Sequence, residues 1–92
     1  MDPGTVLRKV AEYFKLRPEE LRKKRSHFRD QRGMVMEMLH RYSGLRQEEI
    51  GSYLGGIDYT SVSHERSRIR DRLKDNATVK RWLQELEELL FS

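Results

Sequence analysis

Apolar residues in this chain recur at three- and four-residue spacing, and strict alternation is absent throughout. In 92 residues that pattern leaves room for a small bundle of short helices around one core. Prolines stand only at 3 and 18, and glycines cluster at 44, 51, 55 and 56. These marks divide the pattern into six expected helices. The first covers 4–15, with Val6, Val10, Tyr13 and Phe14 on one face and Leu7 beside it. Pro18 suits the first turn of the second, 18–24, because its missing N–H would be unpaired there anyway. Glu19 and Glu20 then sit at the positive end of that helix dipole. Residues 25–29 form a basic loop. The third helix, 30–43, carries a stripe of Met34, Val35, Met38, Leu39 and Tyr42, and Gly44 ends it. The fourth, 46–54, places Ile50 and Leu54 one turn apart, and Gly55-Gly56 makes a tight turn. Asp58 is a good N-cap for the fifth, 59–74, which buries Val62, Ile69 and Leu73. Asn76 caps the sixth, where Val79, Leu83, Leu86 and Leu90 make one stripe, broadened by Trp82 and Leu89. The expectation is an all-α fold: one domain over 1–92, with a core in 5–74 and a C-terminal helix in 76–91.

Composition removes several function classes. There is no cysteine, so disulfides and thiolate metal sites are out. No apolar run approaches the ~20 residues of a membrane span, and MDPGTVLRKV does not read as a signal peptide. A cytoplasmic protein that does not engage a membrane is expected. The histidines at 27, 40 and 64 form no His-x-His or HExxH pattern, and no carboxylates cluster at ligand spacing. Tyr59 as a strand-transfer nucleophile would need a metal-binding partner motif, and none is visible. No metal, cofactor or catalytic residue is expected, and a non-enzyme is the reading.

Charge points to a polyanion. The formal net charge is +4. Residues 22–32 hold six Arg or Lys against one Asp, and residues 66–74 hold five against one. The stretch 75–92 is net acidic. Two basic blocks on one small domain suit a nucleic acid.

Residues 46–74 have the layout of a helix-turn-helix, in which the second helix enters the DNA major groove. Thr60, Ser61 and His64 fall on the side of the fifth helix away from Val62, Ile69 and Leu73. Small hydroxyls allow close approach to base edges, and Thr offers both a hydrogen bond and a methyl contact. The candidate base readers are Tyr59, Thr60, Ser61, Ser63 and His64, with Asp58 opening the helix. Lys23, Lys24, Arg32, Arg66 and Arg68 are candidate phosphate contacts.

The stretch EEIGSYLGGIDYTSVSHERSRI resembles the signature of the C-terminal DNA-binding domain of the bacterial replication initiator DnaA. VAEYFKLRPEEL, RKKRS and RGMVMEMLHRYSGL match it in order upstream, so the resemblance covers about 5–74. It implies an all-helical, Trp-repressor-like helix-turn-helix fold that binds duplex sites sequence-specifically. By that resemblance Arg25 enters the minor groove and Arg32 contacts DNA. Asp58 opens the recognition helix, Thr60 and Ser61 touch bases, and His64 is the signature histidine. Ile57 and Tyr59 depart from the pattern, standing in place of an arginine and a base-contacting histidine. Glu65 and Arg66 occupy positions that usually hold small residues, and His40 one where Lys or Arg is common. GGIDYTSVSHE is also similar to the initiator-like domain behind some repetitive-element transposases. The partners implied are double-stranded DNA and a larger parent protein. A different reading makes the acidic amphipathic helix 76–91 a protein-interaction or self-association surface. RNA binding finds no aromatic-studded strand pair.

Overall fold

The computed structural model describes residues 1–22 and 27–92. The described residues form α1 (Pro3–Phe14), α2 (Pro18–Arg22), α3 (Arg29–Ser43), α4 (Gln47–Tyr53), α5 (Tyr59–Asp75) and α6 (Ala77–Leu90). The fold is all-α, as the spacing predicted. Residues 23–26, which include the end of the expected second helix and most of the basic loop, lie outside the described residues.

Local chemistry sets the boundaries. The Asp2 carboxylate accepts from the Thr5 N–H at 3.2 Å and starts α1 one residue earlier than expected. Lys15 turns left-handed (φ 58°) and closes it. Asp58 accepts from the Ser61 N–H at 2.9 Å, and Asn76 from the Val79 N–H at 3.0 Å. These caps satisfy donors that the first turns of α5 and α6 cannot pair internally.

Helix α3 is the central element. It touches α1, α2, α4 and α5. The sequence stripe predicted burial for one face only, yet every residue from Arg32 to Leu39 is buried, Met36 included. A helix surrounded on several sides has no solvent face along that length, and a single-stripe reading cannot show it. Gly33 lets α5 approach: a β-carbon there would lie 3.3 Å from both the Glu65 carbonyl oxygen and the Ile69 β-carbon.

Helix α6 docks on the body. Val79, Leu86 and Leu90 are buried, while Trp82 and Leu83 pack partly against the core. Leu89, expected to broaden that stripe, is 42% exposed. The docking is also polar. The Tyr13 hydroxyl donates to Glu85, the Tyr42 hydroxyl donates to Glu87, and Lys9 Nζ donates to the Leu89 carbonyl at 3.0 Å. Burial pushes the Tyr13 phenol up to about 12, with the Glu85 hydrogen bond and charge adding to the effect. Phe14 packs edge-on against Trp82, and Tyr42 against Phe91.

The turn between α4 and α5 is closed by backbone. The Gly51 carbonyl accepts from the N–H groups of Gly56 and Ile57, each at 2.9 Å. Gly55 and Gly56 take φ values of 96° and 86° to bring the chain round. A β-carbon on Gly51 would fall 1.9 Å from the Ile57 carbonyl oxygen, whereas one on Gly56 would meet nothing within 4 Å.

Two predictions follow from this packing. Gly51→Ala should cost about 3 kcal/mol or more in urea unfolding, because backbone must move. Gly56→Ala should cost only the left-handed penalty of about 1–2 kcal/mol; equal losses would mean the close approach at Gly51 is not limiting. The Tyr13 phenol, raised in the folded state, stabilises below its ordinary value of 10.0 and loses that contribution as pH climbs through about 12. Tyr13→Phe should therefore lower stability by about 1 kcal/mol at pH 7. It should also flatten the alkaline decline in denaturant melts; an unchanged decline would remove Tyr13 as its source.

Candidate nucleic-acid interface

The first turn of α5 projects polar side chains outward because its apolar positions are spent inward. Val62 and Ile69 are buried and Leu73 is half-buried. On the other side Tyr59, Thr60 and His64 are exposed, with Tyr59 at 60%. Ser61 and Ser63 lie between these extremes. Asp58 is exposed, and its carboxylate is committed to the cap. It accepts from the Ser61 N–H and, at 3.4 Å, from the Ser61 hydroxyl. The Ser61 oxygen keeps its acceptor lone pairs. The candidates read from the sequence, Asp58, Tyr59, Thr60, Ser61, Ser63 and His64, thus lie together at the start of α5, with Ser61 and Ser63 only partly exposed.

Beside this turn lies a shallow groove of about 240 Å³ between α5 and α3, lined by Arg32, Gly56, Ile57, Asp58, Ser61 and Glu65. A neighbouring depression of about 220 Å³ adds Arg29 and His64 to the shared Arg32, Ser61 and Glu65. The flank of α5 facing α3 is therefore mixed in charge.

The cations along this flank differ from the sequence expectation. Arg32 was expected to contact DNA and grip phosphate. It is 7% exposed and forked onto Glu65, with Nε to Oε1 at 3.1 Å and Nη2 to Oε2 at 2.7 Å. It lines the groove as a fixed, paired group. Arg66 was expected to grip phosphate, and here the structure corrects the reading. Arg66 is 6% exposed and points inward, where its Nε donates to Glu37 Oε1 at 3.0 Å and its Nη1 approaches Gln47 Oε1 at 3.4 Å. A guanidinium so placed cannot reach a phosphate outside. Arg68 is partly exposed and lies against Asp30, its Nη2 2.9 Å from Oδ1. Arg72 approaches the other oxygen of Asp30 at 3.1 Å. Lys23, Lys24 and Arg25 lie outside the described residues.

Sequence reading missed Glu37, Glu65 and Asp30. Glu65, noticed only as a departure from a pattern, and Arg66, read as a phosphate contact, are neighbours of opposite charge that pair with Arg32 and Glu37 on α3. That reciprocal charge pattern was the available signal. Glu37 also accepts from Arg41 Nε at 2.8 Å. Burial alone would raise the Glu37 carboxyl, but hydrogen bonds from Arg41 and Arg66 outweigh it and hold the group below the usual carboxylate range.

The family model for the bacterial DnaA protein helix-turn-helix matches residues 3–69. The chain belongs to the bacterial DnaA helix-turn-helix family. It is 32% identical to the chromosomal replication initiator protein DnaA of Corynebacterium jeikeium over 92 residues, 98% of this chain and 16% of that protein. It is also 32% identical to DnaA of Thermus thermophilus over 91 residues, 95% of this chain and 20% of that protein. The chain thus spans about a sixth to a fifth of the length of these DnaA relatives. The DnaA match covers the α4–turn–α5 unit up to Ile69, including the outward first turn of α5. No helix among the described residues is long and apolar enough to cross a membrane. Among those residues no group of three or more His, Asp or Glu is placed to hold a metal ion.

The lowered carboxyl of Glu37 makes a pH prediction. Its contribution to stability is present above the ordinary glutamate value and is lost as pH falls through the depressed folded value. Glu37→Gln should cost about 3–5 kcal/mol at pH 7, because Arg66 is left buried without its charge partner. The same variant should show a shallower loss of stability in acid, read by thermal melts between pH 7 and pH 3. An acid limb as steep as that of the unsubstituted protein would assign the titration to other carboxylates.

Proposed function

We propose that this chain binds duplex DNA sequence-specifically, with the first turn of α5 in the major groove. The carrying observation is the outward set of Tyr59, Thr60 and His64 on a helix whose opposite side is anchored to α3. Family membership supports the same reading, because the relatives are replication initiators. Tyr59, Thr60, Ser61, Ser63 and His64 read bases in this proposal. Arg25 enters the adjacent minor groove, and Lys23, Lys24 and Arg68 meet phosphates. Arg32 contributes from the groove edge, held by Glu65.

The chain's own site sequence should differ from that of a typical initiator. Ile57, standing where the family pattern has an arginine, is turned inward at 8% exposure, so the contact that arginine would make is absent. Tyr59 presents a large phenol where that pattern has a histidine. These two positions also carry the resemblance to transposase-associated domains. We take the chain to be a DNA-binding module of cytoplasmic type, without catalytic residues of its own, that serves a larger protein. Self-association through α6 has less to offer, because the helix spends most of its apolar stripe on the body and leaves Leu89 and Phe91 outside.

Selection from random-sequence duplexes tests this proposal. A consensus should emerge, and its likeness to initiator boxes separates initiator-type from transposase-type recognition. Tyr59→Ala or Ser61→Ala should lose about 1–3 kcal/mol of preference for the selected site while weak general binding persists. Equal loss on all sequences would reject base contact. Lys24→Ala should weaken every duplex alike and reduce the salt slope by about one phosphate; an unchanged slope would remove Lys24 from the backbone contacts.

A further inference from the structure

Among the described residues four ion pairs join α3 to α5 at three places, and one place is built unlike the other two. Arg32–Glu65 and Arg66–Glu37 are hydrogen-bonded, with side chains no more than 10% exposed. The third is the fork of Arg68 and Arg72 on Asp30, with side-chain exposures of 34%, 39% and 23%. It is also poorly satisfied. Asp30 Oδ1 and Arg68 Nε are buried atoms without a hydrogen-bond partner, although Oδ1 lies 2.9 Å from Arg68 Nη2. The charges attract, but the N–H vectors do not align. Partly exposed pairs of this kind contribute little to stability, so a competing anion can displace them.

The position of this fork matters. Arg68 follows Ser61 and His64 along the same flank of α5 at seven- and four-residue spacing, and Arg72 is one turn further. Asp30 sits on the first turn of α3, next to Arg29, whose side chain lines the depression with Ser61 and His64. A carboxylate therefore stands beside the flank of α5 that continues from its first turn. Carboxylate and phosphate oxygens make the same charge-assisted contacts to guanidinium.

We propose that Asp30 is an internal competitor for DNA phosphate. In the free protein its carboxylate holds Arg68 and Arg72 against α3. On binding it yields them to the DNA backbone, and the exchange subtracts from affinity for every duplex. The inference rests on the DNA-binding reading above and adds a residue that limits it.

The experiment measures the affinity of the full chain for the selected duplex and for a random duplex at one salt concentration. Asp30→Asn should bind both about three- to tenfold more tightly. Asp30→Glu, which keeps the charge, should bind like the unsubstituted protein. In an Arg68→Ala/Arg72→Ala background, Asp30→Asn should bring no gain, because there is nothing left to release. Thermal melts confirm that each variant is folded. Unchanged or weaker binding by Asp30→Asn, or a gain that survives removal of both arginines, would overturn the proposal. If the unsubstituted chain bound no duplex at all, the DNA-binding reading itself would fall, and this inference with it.

Discussion

Arg32 and Glu37 on α3, with Glu65 and Arg66 on α5, are four ionisable groups with little access to water. Charges so placed are tolerated only when each meets its partner at hydrogen-bonding distance. Both pairs must form together, so α5 can sit on α3 in one register and at one rotation. Gly33 brings the helices close enough for this. The outward direction of Tyr59, Thr60 and His64 is therefore set from the inside. Removing one of the four charges would disturb the exposed face without touching it.

The succession of helices was legible in the sequence because its punctuation is local. Pro18, Gly44, Asp58 and Asn76 act within one turn of where they stand, and each falls at or next to an observed boundary. The outward face of α5 was legible for the same reason, since helical periodicity assigns sides without knowledge of neighbours. What depended on neighbours was not legible. The all-round burial of α3 comes from the elements that surround it. Arg66 reads as one more cation in a basic block, and only the distant Glu37 shows that it points inward. The acidic positions of α6 have no partner legible in the sequence, and Tyr13 and Tyr42 supply donors to them from α1 and α3.

Helix α6 closes the side of the body formed by α1 and the end of α5. Its glutamates bond tyrosines near the C-terminal ends of α1 and α3, while Arg29, Asp30 and Arg32 occupy the N-terminal turn of α3. The glutamates of α6 thus lie at the C-terminal end of α3, away from its N-terminal turn. In the field of a polyanion that separation favours approach with the α3 N-terminus and its neighbouring α5 flank leading.

The bend between α4 and α5 is held by the carbonyl of Gly51, which accepts from the main-chain N–H groups of Gly56 and Ile57. Side chains at 59, 60 and 64 contribute nothing to it and are not part of the core. The exposed surface is consequently mutable without cost to the scaffold. A lineage of such proteins can exchange the residues that meet a ligand, one at a time, without passing through an unfolded ancestor, and can drift to new targets on an unchanged frame.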